Sequence, residues 1–181
     1  GFIVKKKNED SYKYGYINSK GKMLLPPEYT EISRINEIID DKNVYLLVLK
    51  EGQAGVVKNN KVVLDFEYED ISYNLFNNMF IIQRNSKSGI ADIKGKVIIQ
   101  PEYDSIMFGG IYVNAIKDGE VTVLDINGKK LDNNNIYAKL PTTNPNYYIT
   151  IDKNEIYRIV DKDNNIKIEN NYTYIEHIKD D

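Results

Sequence analysis

Ser88-Gly89-Ile90-Ala91-Asp92-Ile93-Lys94-Gly95-Lys96-Val97-Ile98-Ile99-Gln100-Pro101-Glu102-Tyr103-Asp104-Ser105-Ile106 reads as strand, turn, strand and stop. Asp92 sits three residues before Gly95. An Asp at the first turn position bonds its carboxylate to the backbone two residues on, and glycine at the fourth tolerates positive φ, the pattern of a type I turn feeding a hairpin. Val97-Ile98-Ile99 suits a pleated surface. Pro101 then ends ladder pairing, because it has no N–H to give. Tyr103-Asp104-Ser105-Ile106 is a short extended piece, a candidate fourth strand.

The same unit recurs. Tyr14-Gly15-Tyr16-Ile17-Asn18 leads through Gly21 to Pro26-Pro27-Glu28-Tyr29, and Ala54-Gly55-Val56-Val57 leads to Phe66-Glu67-Tyr68. In the second unit the turn is one residue shorter, Asn59-Asn60, a pair suited to a tight hairpin. Two units are degenerate: one turns at Asp125 and Gly128, the last at Asp161, where Asn164 or Asn165 stands for glycine. The tyrosines Tyr29, Tyr68, Tyr103, Tyr137 and Tyr172 mark a period of roughly 35 residues. The longer first interval contains the polar stretch Asn36 to Asn43, read as a loop insertion. A further apolar strand opens each unit: Phe2-Ile3-Val4, Tyr45 to Leu49, Phe80-Ile81-Ile82, Tyr112-Val113 and Tyr147-Tyr148-Ile149.

These units, at residues 1–36, 44–76, 79–108, 111–138 and 147–178, predict a single all-β repeat array over 1–181. No segment carries a helical period. Three or four short strands cannot bury both faces alone, so neighbouring units must stack. Each unit looks self-contained, and about 35 residues is small for a full propeller blade. That favours an open superhelical array of antiparallel units over the alternative, a closed propeller-like ring.

Composition narrows the function classes. Apolar residues make up 41% and charged residues 28%, with a net charge of −3. Lysines are scattered and Arg34, Arg84 and Arg158 do not cluster, which argues against nucleic acid. No apolar run approaches the ~18 residues of a membrane span. Cysteine is absent, which removes disulfide and thiol chemistry. The start at Gly1, on the edge of a strand, suggests a trimmed piece of a longer protein, so the compartment stays open.

The pattern resembles the WG repeat family of bacterial β-rich repeats. Tyr14-Gly15-Tyr16-Ile17-Asn18 and Leu25-Pro26-Pro27-Glu28-Tyr29 carry the resemblance best. It spans nearly the whole chain, good in three units and poor in two. The chain has no tryptophan, and Tyr14, Ala54 and Ser88 hold the signature position. The resemblance implies a bacterial repeat protein, often linked to the cell envelope (surface or secreted), with binding or scaffolding roles and no catalytic residues to carry over.

Candidate chemistry is sparse. His177, the single histidine, has no nucleophile or second ligand in any motif and reads as a partly exposed strand residue. Asp161-Lys162-Asp163-Asn164-Asn165 has alternate oxygens, but Ile166 and Tyr172 stand where a calcium loop needs Gly and Glu, so it reads as a turn. Glu69-Asp70 and Asp104 recur after the tyrosines, as turns and edges do. Tyr29, Tyr68, Tyr103 and Tyr172 share one repeat position, which points to core packing. Phe76 and Phe108 are expected to wedge between units. Pro141-Thr142-Thr143-Asn144-Pro145-Asn146 and the insertion at 36–43 break the period, and departures of this kind are where a site belongs.

The sequence therefore predicts a non-enzymatic binding or scaffold module presenting a repeat surface to a protein partner, without catalytic, cofactor or metal residues. Two other readings remain: envelope polysaccharide or peptidoglycan bound through exposed tyrosines, and a hydrolase using loop carboxylates.

Overall fold

The structure is a computed structural model that describes residues 1–8, 11–35, 43–109, 112–131, 136–152 and 154–176. It is all-β, as the sequence predicts: every described element is a strand, in five small antiparallel sheets. The chain forms two compact units, Gly1–Pro101 and Glu102–Asp181.

The first sheet has three strands in the order β1 (Phe2–Asn8), β2 (Ser11–Ile17) and β3 (Met23–Tyr29). The second has four, β4 (Glu31–Arg34), β5 (Tyr45–Lys50), β6 (Gln53–Lys58) and β7 (Lys61–Tyr68). The third has β8 (Asp70–Asn74), β9 (Met79–Arg84), β10 (Lys87–Asp92) and β11 (Val97–Tyr103). The fourth is β12 (Ser105–Gly109), β13 (Tyr112–Lys117) and β14 (Glu120–Asp125). The fifth is β15 (Ile136–Pro141), β16 (Tyr147–Asp152), β17 (Tyr157–Asp161) and β18 (Ile166–Tyr172). Each is a meander in chain order. The extended piece after Tyr29, Tyr68 and Tyr103 is indeed a strand, and it opens the next sheet as β4, β8 or β12.

The turns form as their residues dictate. Asn18, Asp92, Asp125 and Asp161 each accept backbone N–H bonds from two and four residues on, at 2.8–3.0 Å. Asn164, at φ 67°, takes the glycine place in the last. Asn59 and Asn60 both have positive φ, which matches a two-residue hairpin to strand twist.

The repeated glycine has a steric cause. Tyr14 pairs with Tyr29 and Tyr16 with Leu25, so Gly15 alone faces a bulge built around Pro26-Pro27. A Cβ on Gly15 would lie 2.6 Å from the Leu25 oxygen and 2.9 Å from the Pro27 nitrogen. Gly89 meets Ile99 and Pro101 in the same way, at 2.5 and 2.7 Å. The fifth sheet keeps the offset opposite Arg158, where the crossing segment Glu169-Asn170-Asn171 has no proline. The close crossing, rather than the offset itself, excludes the side chain.

Within Gly1–Pro101 the second sheet buries both faces, as alternating side-chain direction allows. Leu46, Val48 and Val57 pack with Tyr16 and Leu25 of the first sheet. Tyr45, Ala54, Val56 and Leu64 pack with Phe80, Ile82 and Ala91 of the third. Each such side chain contributes about 1.5–3 kcal/mol on burial. Within Glu102–Asp181, Tyr112 and Val123 pack with Tyr148 and Val160.

Candidate functional site

The three hairpins of a sheet differ in how much they vary. The connections from β5 to β6, β9 to β10 and β13 to β14 are two residues each: Glu51-Gly52, Asn85-Ser86 and Asp118-Gly119. All six residues have positive φ. The connection from β16 to β17 is longer, 153–156, and the connection leading into β5, β9, β13 or β16 varies most: 35–44 in the second sheet, 75–78 in the third, 110–111 in the fourth and 142–146 in the fifth. Both period-breaking stretches in the sequence therefore fall at this one connection. Variable loops on a constant scaffold are where binding residues concentrate.

The third sheet's hairpin exposes large apolar side chains. Phe76 is 93% exposed and Leu75 is 51% exposed. The sequence-based expectation that Phe76 wedges between units is corrected: it projects into solvent from the turn. Phe108 lies inside β12, half-buried, paired with Val113, at the register of Tyr73 paired with Phe80. The phenylalanines only appear equivalent because each precedes a turn-like dipeptide.

The turn that carries Phe76 is held from below. Asn74 Oδ1 accepts the Asn77 backbone N–H at 3.0 Å and the Asn77 side-chain amide at 3.2 Å. Tyr73 donates its hydroxyl to Asn78 Oδ1, and its ring lies 5.4 Å from that of fully buried Phe80. Tyr73, Phe80 and Ile71 also line a cleft of about 180 Å³ with Ser33, Arg34 and Ile35. Ile35 is the last described residue before the insertion, whose residues 36–42 lie outside the described residues. The end of the described segment at Ile35 and the base of the Phe76 turn thus share one cleft.

The fifth sheet's hairpin is ordered by its own polar groups. The Thr142 hydroxyl lies 2.8 Å from the Asn144 carbonyl oxygen, and Asn144 Oδ1 accepts the Asn146 N–H at 3.0 Å.

Other residues singled out in the sequence have structural roles. Tyr68 is buried in the core shared by the second and third sheets, and Tyr29 stacks on Phe66 at 5.8 Å. Burial raises the phenol pKa of Tyr29, Tyr68 and Tyr103. Tyr172 is 41% exposed. The carboxylates after the tyrosines brace the following hairpin: Glu69 accepts the Ser86 N–H and Asp104 the Asp118 N–H, at 2.9 and 2.8 Å. The segment 161–165 is the turn of the fifth sheet, with Asn165 and Lys167 on the second Asp161 oxygen. These bonds hold the Asp161 carboxyl well below the usual range. Among the described residues no three metal-ligating side chains converge. His177 lies outside the described residues.

One residue was invisible in the sequence. Ile32, Ile71 and Ile106 each follow a tyrosine by three and pair with Val48, Ile82 and Ala115. Counting three from Tyr137 gives Leu140. A bulge between Ile136 and Ala138 shifts the register, so Lys139 takes the isoleucine position and Leu140 is 40% exposed. Lys139 is fully buried. Its Nζ lies 3.9 Å from the Tyr112 ring centre and 4.8 Å from that of Tyr148, and it donates to Asn164 Oδ1. Burial lowers its pKa to about 8, against the pull of Asp161 and Asp163. Asn114 bonds both backbone groups of Lys139, at 3.3 and 3.5 Å. Nearby, burial pushes the Asp152 carboxyl up, but Arg158 at 2.6 Å and two backbone amides bring it below its usual value. A fully enclosed amine acts on packing rather than on a ligand.

No curated protein matches the chain in sequence. Among solved structures, a eukaryotic initiation factor aligns over 94% of this chain and 51% of its own, at 13% identity and TM-score 0.47. BamB from Moraxella catarrhalis aligns over 96% and 59%, at 14% identity and TM-score 0.34. The WD40 β-propeller domain of Doa1 aligns over 77% and 67%, at 9% identity and TM-score 0.26. The chain thus spans about half to three-fifths of the first two. The WG containing repeat family matches residues 14–37, 56–87 and 89–108, the stretches that hold the crossed glycines Gly15 and Gly89 and the braced Phe76 turn. Over those stretches the chain belongs to the family of WG-containing repeats.

Proposed function

We propose that the chain is a non-enzymatic protein-binding module whose contact site lies at the hairpin between β8 and β9, with Leu75 and Phe76 as its anchor. The observation that carries this reading is Phe76, 93% exposed on a turn braced by Asn74 and Tyr73. An aromatic side chain buries about 150–250 Å² when it enters a pocket. Contacts that dominate binding are typically such residues at the centre of an interface. A rigid turn adds little ordering cost on binding. The fitting partner is a protein with an apolar pocket sized for a phenyl ring. Of the repeated tyrosines, Tyr68 is buried and Tyr29 stacks on Phe66, while Tyr172 is exposed.

The test places a photo-reactive phenylalanine analogue at position 76 and exposes the chain to lysate and to isolated cell envelope. One protein cross-linked at position 76, and no longer captured by Phe76→Ser, supports the reading. Capture that is indifferent to Phe76→Ser and Leu75→Ser overturns this anchor. Retention of wall glycan in place of protein overturns the module's assignment.

A further inference from the structure

Lysines from two different sheets converge on one cleft within Gly1–Pro101. Lys58 and Lys61 flank the Asn59-Asn60 hairpin of the second sheet, and Lys94 lies in the Asp92–Gly95 turn of the third. The two turns are held side by side. A Cβ on Gly95 would strike the Val63 carbonyl, so the third sheet's turn rests directly on β7. Val63 and Ile93 also pack against the core that these two sheets share.

The cleft spans about 450 Å³, within the range of about 300–1,000 Å³ typical of ligand-holding clefts. Its apolar lining is Tyr45, Val62, Val63 and Ile93, and Val62 is 52% exposed. Lys58 Nζ lies 4.9 Å from the Tyr45 ring centre, while Lys61 and Lys94 are exposed. Among the described residues no carboxylate lines the cleft, and none of these three lysines forms an ion pair. Asp92 shares a turn with Lys94, but one of its carboxylate oxygens already accepts the N–H groups of Lys94 and Lys96, at 2.8 and 2.9 Å. On a chain of net charge −3, this is a local excess of positive charge beside exposed apolar surface.

We propose that this cleft binds an acidic segment of a partner protein, whose apolar side chain sits on Val62 and Ile93 between carboxylates that face Lys58 and Lys61 on one wall and Lys94 on the other. The cations stand on two walls, so the matching anion carries separate charges about an apolar centre. A compact phosphate is better served by backbone N–H groups converging in a nest, and here the amides of Lys94 and Lys96 are taken by Asp92. Lysines act as mobile point charges without the fork of an arginine, which suits distributed carboxylates. The Lys94 turn and the Phe76 turn lie at one end of the third sheet, since Asp92 pairs with Met79 and Met79 with Asn74. The cleft nevertheless uses other side chains than Phe76, so the two sites are separable by mutation.

The test titrates the chain with a fluorescent hexapeptide, two leucines flanked on each side by two glutamates, and follows the backbone amides by NMR. Binding should shift the Val62 and Ile93 amides. It should weaken as salt rises, because exposed charges are screened over about 8 Å at 0.15 M ionic strength. Lys58→Gln, Lys61→Gln and Lys94→Gln together should weaken it about tenfold, each exposed pair contributing up to roughly fivefold. Val62→Asp, at an exposed position, should weaken it as well, and Phe76→Ser should leave it unchanged. Failure of the peptide to bind at millimolar concentration overturns the proposal. So does undiminished affinity in the triple variant, or equal binding of a peptide with glutamines for its glutamates or serines for its leucines. Inorganic polyphosphate that binds through the same lysines more tightly than the peptide overturns it in favour of a phosphate polymer.

Discussion

Replacing Gly89 with alanine tests why the repeat carries glycine at its signature position. Gly89 does not have a positive φ, so the cost of a side chain is steric alone. The new Cβ would sit 2.5 Å from the Ile99 oxygen, 2.7 Å from the Pro101 nitrogen and 2.8 Å from the Gln100 carbonyl carbon. Ordinary contacts begin at 3.4 Å, so all three must give way, the nearest by roughly 0.9 Å. All three are backbone atoms of β11, and Pro101 stiffens it. None can swing aside as a side chain would. Overpacking of this kind costs typically 1–3 kcal/mol, and three backbone contacts place Gly89→Ala at the top, about 3 kcal/mol. Gly52→Ala is the matched control. It lies in the same compact unit, at φ 84° with nothing within 4 Å of its Cβ, so it carries only left-handed strain, about 1 kcal/mol. Gly55→Ala should fall between, because its nearest neighbour at 2.8 Å is the Phe66 ring, which can turn. The assay is urea unfolding followed by far-ultraviolet circular dichroism, since the chain has no tryptophan to report. Gly89→Ala costing no more than Gly52→Ala would refute the close-crossing account.

The buried amine gives a pH signature. The folded Lys139 titrates near 8 against 10.5 for a free lysine, so the unfolded chain binds more protons between those values and stability rises with pH there. From about pH 7.5 to 9.5 the gain is about 2 kcal/mol. The raised phenols of Tyr112, Tyr29, Tyr68 and Tyr103 reverse the trend above about pH 10. Lys139→Met should stabilise the fold at pH 7 and flatten the rise; a slope unchanged in urea titrations over that range rules the amine out as its source. Asp92→Ala removes two backbone acceptor bonds at an exposed turn and should cost about 1 kcal/mol by denaturation, and an effect below a few tenths would mean that Gly95 alone holds the turn. Phe76→Ser should leave stability within about 0.5 kcal/mol, since the side chain has nothing folded to lose, and a large loss would show the ring to be packed.

The turns were legible because their chemistry is local. An Asx side chain reaches backbone two and four residues on, and Asn59-Asn60 adopt positive φ whatever surrounds them. Glu69 and Asp104 were read as edge residues for their recurrence, and each does brace the next hairpin. Phe76 was misread because a phenylalanine before a loop looks the same whether it packs or projects. What separates it from Phe108 is strand register, which no single segment encodes.

From the sequence by itself came the all-β class, the period, the turn at each Asx residue and Tyr29 and Tyr68 as packing residues, all consequences of spacing and short-range bonding. Only the tertiary structure decided three further things. It assigned the strand after Tyr29, Tyr68 and Tyr103 to the following sheet, because sheet membership is set by which neighbour offers a hydrogen-bonding edge. It placed both period-breaking stretches at the same connection, between the first two strands of the second and fifth sheets. And it turned Lys139 inward in place of Leu140, because a single-residue bulge exchanges the two faces of a strand and leaves no trace in composition or spacing.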